Sequence, residues 1–542
     1  MKRIVLSAVF LILFYQHSFS CTNLLVTKGA SADGSVMITY NADAGGFMEP
    51  LYFSPAQDHK PGDSVSIYDW DSHKYLGKIK QINHTYSVIG NMNEHQVAIG
   101  ETTFTGREEL RDTLGLIDYG SLMYLALQRA KTAREAIIVM GDLVKEYGYY
   151  STGESFSVSD ANEVWILEMI GKGPGNKGAN WVAVKVPDGY ICAHANQARI
   201  RQFPLNDPKN CLYSPDIIDF AIQKGYYKKE DGPFSFVDAY CPLDPGSLLY
   251  CEGRVWSLFR RAAPSLNLSS DYFRAVKGAE PYPLFIKPDK KLSVKDAIAL
   301  MRDHFQGTEF DMTVGLASEP YGNPYRWKPL GWKIDGDTIN QYGWERPIST
   351  QQTAFSFVAQ SRSFLPDPIG GVFWYAVDDT YSNVYIPLYC SMTSAPECFT
   401  IGGIADFSLQ SGFWVFNLVA NLAYTKYSYI IKDIQEVQQK LENKFLAMQP
   451  AIEKAALELH KTNPELMVEF LTDYSINQSE NTVSRWRQLW EYLVMKYNDG
   501  YINDVNVDHG RHPKGVGYGQ SFFKRVIQER PDYFKVRWQE KK

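Results

Sequence analysis

Up to about residue 400 the apolar positions fall in short runs separated by Gly, Pro, Asn and Asp, whereas beyond Phe407 they recur at three- and four-residue spacing among charges. The first pattern predicts strands and the second predicts helices. Cys21 to Lys28 reads as a buried strand, Ser31-Ala32-Asp33-Gly34 as a turn carrying the Asp-Gly hairpin signal, and Ser35 to Tyr40 as the returning strand. Further strands are predicted at Tyr86 to Gly90 and Val97 to Ile99. Phe156 to Ser159 should pair with Glu163 to Met169 around Asp160-Ala161-Asn162, and Trp181 to Val186 with Tyr190 to Ala193 across Pro187-Asp188-Gly189. Closing strands follow from Arg346 to Leu388. Helical spacing appears from Ser121 to Tyr147, with Gly148 at its end, and again after Ser293, a predicted N-cap. The C-terminal third predicts helices at Phe413 to Tyr427, Ile430 to Met448, Ile452 to Thr462, Glu465 to Thr472 and Val483 to Tyr497.

The N-terminus has a different pattern. Lys2 and Arg3 precede an apolar run, Ile4 to Phe14, and Ser18-Phe19-Ser20 is a small-x-small cleavage site, so residues 1–20 read as a signal peptide. Cutting after Ser20 makes Cys21 the mature N-terminus, with a thiol and a free α-amine on one residue. That amine titrates at about 7.7 to 8.0, so one residue carries both nucleophile and base. The alternative is a lipid-anchored cysteine on a non-catalytic surface protein. Lipoprotein sites favour an aliphatic residue three positions earlier, where this chain has Ser18, and a strand rather than a polar tether follows.

The stretch CTNLLVTKGASADGS, followed by Asn41-Ala42-Asp43, resembles the start of the N-terminal-nucleophile cysteine dipeptidases, relatives of penicillin V acylases and bile-salt hydrolases. The resemblance runs to about Cys398. It implies an α+β fold, an αββα sandwich with Cys21 at the end of a central strand, acting through an acyl-enzyme. Asp43 would orient the cysteine, although relatives commonly carry Arg where this chain has Tyr40. Asn196, just after the strand ending at His194, would face the oxyanion. Arg254, in CEGRVW, would open a helix near the site, lower the thiol pKa and hold carboxylates. Thr103 occupies the position of a further oxyanion donor. Glu101 and Asp311 are candidate partners for the free ammonium of a dipeptide, and the aromatic segment Pro320 to Trp327 resembles the family's loop beside the groove. A Cys-His arrangement through His194 is disfavoured, because an N-terminal cysteine already has its base.

Composition narrows the function further. A chain of 542 residues, 522 after cleavage, exceeds what one core fills, and two regions are expected: a catalytic domain at 21–405 and a packed helical region at 406–542. The formal charge is −6, and no basic stripe suggests a nucleic-acid partner. After Phe14 no apolar run reaches the roughly 20 residues of a spanning helix. All seven cysteines survive cleavage, and with Cys21 set aside, Cys241 with Cys251 or Cys390 with Cys398 are candidate short-loop disulfides against buried free thiols. His509 and His512 are weak ligand candidates, and neither metal nor cofactor is expected. The sequence therefore predicts an exported cysteine dipeptidase, periplasmic or extracellular, acting on dipeptides or short peptides. An amidase on non-peptide acyl amides is the enzymatic alternative; oligomeric state stays open.

Overall fold

The computed structural model describes residues 21–327, 330–336, 342–506 and 513–535. Residues 1–20, where a signal peptide is expected, and the His509/His512 pair lie outside these residues. The fold is α+β, built on two large antiparallel sheets. One sheet has seven strands. Its centre is β1 (Asn23–Val26) beside β2 (Val36–Asp43), and the chain later adds β7 (Ile191–His194), β8 (Thr353–Ser361), β9 (Val372–Val377) and β10 (Ile386–Tyr389). The strand order is Phe285–Ile286, β7, β1, β2, β8, β9, β10. The other sheet has eight strands, with β3 (Ala98–Phe104), β4 (Gly153–Ser159), β5 (Val164–Gly171) and β6 (Ala179–Lys185) side by side at its centre.

The sheets face each other where β1 and β2 cross β3 and β4. Gly100 on β3 allows the close approach: a Cβ there would sit 2.9 Å from the Asn23 amide and 3.4 Å from Tyr40 Cβ. Outside the eight-stranded sheet lie α1 (Tyr119–Leu127) and α2 (Ala133–Tyr147), where the spacing predicts helix; α1 packs on β3 and α2 on β4 to β6. Outside the seven-stranded sheet lie α3 (Gly253–Ala262) and α4 (Val294–Met301). Ser293 caps α4 in a reciprocal box with Asp296, as its position predicts.

The pairing of Phe156 to Ser159 with Glu163 to Met169 is present as β4 and β5, and Asp160 holds the turn by accepting from Asn162 and Glu163 amides. The predicted hairpin of Trp181 to Val186 with Tyr190 to Ala193 is not. These strands are β6 and β7, and they belong to different sheets. The turn between them closes with the Tyr190 amide on the Pro187 carbonyl and also binds the segment after β1: Gly189 donates to Thr27 Oγ1, and Asp188 accepts from the Gly29 amide at 2.7 Å. A turn signal fixes a change of direction, not the partner of the strand that follows.

The five expected C-terminal helices are three long ones among the described residues up to Lys496: α5 (Gly412–Thr425), α6 (Tyr427–Thr462) and α7 (Pro464–Lys496). The polar gap between Thr472 and Val483 stays helical because its buried hydroxyls are satisfied within the helix. Ser475, Ser479 and Thr482 each donate to the carbonyl four residues back. These helices cover the seven-stranded sheet at β10, where Ser475 receives the Tyr389 amide, and their apolar residues join the same core. Ion pairs Arg302–Glu442 and Arg362–Glu453 tie α6 to the strand region. All seven cysteines are buried free thiols, so neither short-loop disulfide is formed.

Candidate active site

Cys21 enters the fold at the start of β1, where Thr22 and Asn41 exchange main-chain hydrogen bonds and set it beside the end of β2. It is 2% exposed. Its Sγ lies 3.5 Å from the Tyr40 hydroxyl and 3.7 Å from Glu101 Oε1, and the Asp43 main-chain N–H faces it. Burial pushes the thiol pKa up, and the carboxylates of Glu101 and Asp43 push it further. The protonated thiol is therefore favoured, and the Arg254 charge, although it acts on Cys21, does not outweigh them.

Arg254 positions the main chain around the nucleophile. A π-helical turn at Leu248–Glu252 leads into α3 and brings the guanidinium inward, where it is 1% exposed. Its Nη1 donates to the Cys21 carbonyl at 2.5 Å and to Thr22 Oγ1 at 2.8 Å; Nη2 donates to the Ala195 carbonyl and to Asn196 Oδ1. One planar fork thus ties the two strand ends, β1 and β7, together. Burial, with Arg346 nearby, lowers its pKa only to about 10, so it remains cationic at neutral pH.

Asn196 sits in the left-handed region, with φ 62°, immediately past β7. Asn tolerates this conformation better than most residues, and such geometry clusters at functional sites. With Oδ1 taken by Arg254, Nδ2 must point the other way, and it donates to the Thr103 carbonyl at 2.8 Å. One amide hydrogen is spent there. Thr103 therefore contributes its carbonyl. Its side chain lies opposite Glu154 on β4, within hydrogen-bonding reach of the Glu101 and Glu154 carboxyls.

Asp43 is fully buried, with Oδ2 receiving Arg346 at 2.5 Å and Oδ1 receiving Thr353 Oγ1 at 2.6 Å. Burial raises its pKa while Arg346 opposes the rise. Arg346 was missed by the sequence reading, as were Tyr40 and Glu154. The one signal was negative: with Tyr at position 40, Asp43 needed another cation, and nothing in the local pattern said where it came from.

Glu101 is brought to the thiol. Asp311 is not: its carboxylate closes its own loop by accepting from the Gly307 and Thr313 amides and Thr313 Oγ1, and it does not line the cleft at Cys21. His194 is buried between Thr102 and Ser157, bonded through both ring nitrogens, with its pKa pushed down to about 3 by burial, so it is a neutral structural residue.

A narrow cleft open to solvent lies above Sγ. Cys21, Tyr40 and Asp43 lie at its base, and Phe47, Trp70, Tyr119, Tyr124 and Phe355 form aromatic walls. Trp70 packs directly on Gly120, where a Cβ would come within 2.6 Å of the indole. Among the described residues there is no group of three His, Cys, Asp or Glu side chains placed to hold a metal, and no helix long and apolar enough to cross a membrane.

Residues 20–440 match the model of peptidase family C69. A probable dipeptidase of Salmonella dublin is 29% identical over 394 residues, covering 69% of this chain and 81% of that protein. A probable dipeptidase of Latilactobacillus sakei is 26% identical over 81% of this chain and 89% of its own length, and a probable dipeptidase A of Streptococcus pyogenes is 24% identical over 86% and 95%. With a match beginning next to Cys21 and spanning both sheets, the chain belongs to peptidase family C69.

Proposed function

We propose that this protein is an exported cysteine dipeptidase of the N-terminal-nucleophile type, with its two sheets and outer helices forming the αββα sandwich of that class. The observation that carries the reading is the Arg254 clamp, which ties the Cys21 carbonyl to the Asn196 side chain behind a nucleophile that lines an aromatic cleft. Family C69 membership and the dipeptidase relatives support the substrate class.

In this mechanism, removal of residues 1–20 frees the Cys21 α-amine. Sγ attacks the scissile carbonyl, and the second Nδ2 hydrogen of Asn196, with the Asp43 N–H, stabilises the oxyanion. The amine product leaves, and water hydrolyses the thioester. Asp43, fixed by Arg346 and Thr353, orients the residue.

Purified mature protein tested on free dipeptides, longer peptides and acyl-amide conjugates decides the matter. Hydrolysis of dipeptides that is abolished in Cys21→Ala supports the reading. Turnover of acyl amides with dipeptides untouched makes the protein an amidase, and full dipeptide hydrolysis by Cys21→Ala removes the nucleophile.

A further inference from the structure

The thiol faces an acid–base group that a mechanism resting on the α-amine leaves unused. Tyr40 contacts Sγ and donates its hydroxyl hydrogen to Glu101 Oε1, the same oxygen that lies 3.7 Å from Sγ. The hydroxyl oxygen is thus free to accept from S–H while its own hydrogen is committed to the carboxylate. Behind Glu101 lies Glu154, close enough for the two carboxyl groups to share a proton. Glu101 Oε2 and both Glu154 carboxyl oxygens are otherwise buried without a hydrogen-bond partner. Two carboxylates cannot both stay charged at contact distance in a buried site, so the pair holds one proton and one negative charge.

We propose that Glu101, in place of the Cys21 α-amine, is the proton acceptor for the Cys21 thiol, with Tyr40 as the bridge and Glu154 as the group that keeps the pair singly protonated. The assignment rests on Cys21 being the nucleophile. As Sγ bonds to the scissile carbon, its proton passes to Glu101, directly or by a double shift in which Tyr40 takes the thiol proton and yields its own. Glu101 becomes a neutral acid and Glu154 keeps the proton it held. When the tetrahedral intermediate collapses, the C–N bond breaks, Glu101 returns the proton to the departing amine, and the carboxylate is restored.

The surroundings suit that task. Burial pushes Glu101 above the usual carboxylate range, while bonds from Glu154, Tyr40 and Cys21 pull it back, and a base works best with a pKa near the operating pH. The titratable groups facing it are Cys21 on the β1 side, Tyr40 on β2, Glu154 on β4, Tyr119 on α1 with Asp71 behind it, and Tyr149 after α2. The cations, Arg254 and Arg346, lie on the Asp43 side.

Glu101→Gln in the mature protein separates this role from a structural one, through dipeptide turnover and the alkylation rate of Cys21 by iodoacetamide at pH 7. The expected kcat falls by about 100-fold, the scale of a lost general base. Alkylation speeds up, because removing an anion beside the thiol lowers its pKa. Glu101→Asp recovers part of kcat. Unchanged kcat, or turnover and alkylation falling together, overturns the assignment. If Glu101→Gln does not fold, Tyr40→Phe removes only the bridging hydroxyl: a kcat about tenfold lower with alkylation maintained supports the relay, and an unchanged kcat and pH profile overturn it. Loss of the nucleophile reading would show separately, as activity surviving in Cys21→Ala.

Discussion

Arg346 donates to Asp43 through a buried ion pair, Nη2 to Oδ2 at 2.5 Å, between side chains 3% and 0% exposed and 303 positions apart in the chain. The segment around Asp43 resembles relatives that carry an arginine three residues earlier, and here that position is Tyr40. The charge is supplied from the segment leading into β8 instead, which leaves position 40 free for a hydroxyl facing the thiol. Breaking a buried pair from one side strands the other charge. Arg346→Met should therefore destabilise the protein by about 3 to 5 kcal/mol in urea unfolding. Adding Asp43→Asn should recover part of that loss; a double variant as unstable as the sum of the singles would mean the two residues are not energetically coupled.

Asn196 gives a prediction of a different kind, because its amide orientation is enforced. Arg254 takes Oδ1 and the Thr103 carbonyl takes one Nδ2 hydrogen. Asn196→Asp keeps the Arg254 contact and removes the donor. Its kcat should fall by about 10²- to 10³-fold with KM little changed, the usual result of deleting one oxyanion donor. A change confined to KM would place Asn196 in substrate binding alone.

Maturation is predicted to leave Cys21 first in the chain with an unmodified α-amine. Intact mass and N-terminal sequencing of the protein from its native export route should agree on that residue. An acylated N-terminus would favour the lipid-anchored alternative, and a start at any other residue would remove the self-contained amine.

Much of this site was legible because it is local. Cys21 is marked by the cleavage site before it, while Asp43, Asn196 and Arg254 follow from matching short segments to the family pattern, and the structure gathers all four. Long-range pairing was harder to see. Nothing in the Glu345-Arg346-Pro347 run announces a partner at Asp43, and Glu154 reads as a lone acid in a small-residue strand until β3 and β4 are set in register. The same limit explains β6 and β7: Pro187-Asp188-Gly189 signals a turn correctly, but the ladder with β1 and the contacts of Thr27 and Gly29 place the following strand in the other sheet. Helix length failed for the converse reason, since hydroxyls that look like breakers in sequence are satisfied inside α7.

The last prediction concerns Asp378, which follows β9 with φ 62° and is 2% exposed. Its Oδ1 receives the Asn417 amide at 2.9 Å, and its Oδ2 has no hydrogen-bond partner. Burial, with Asp379 adjacent, pushes its pKa up to about 8. In the unfolded chain an Asp titrates at about 3.9. Between those values the folded state holds a proton that the unfolded state has lost, so this residue's contribution to stability is fullest below about pH 4 and declines as pH rises toward 8. Asp378→Asn keeps the bond from Asn417, tolerates the positive φ, and carries no charge at any pH. Its Tm should exceed the parent's by a margin that widens from pH 4 to pH 8. Asp379, at about 6, and Glu168, at about 8, leave a residual slope in both proteins. A Tm difference independent of pH across that range would show that Asp378 is ionised in the folded protein.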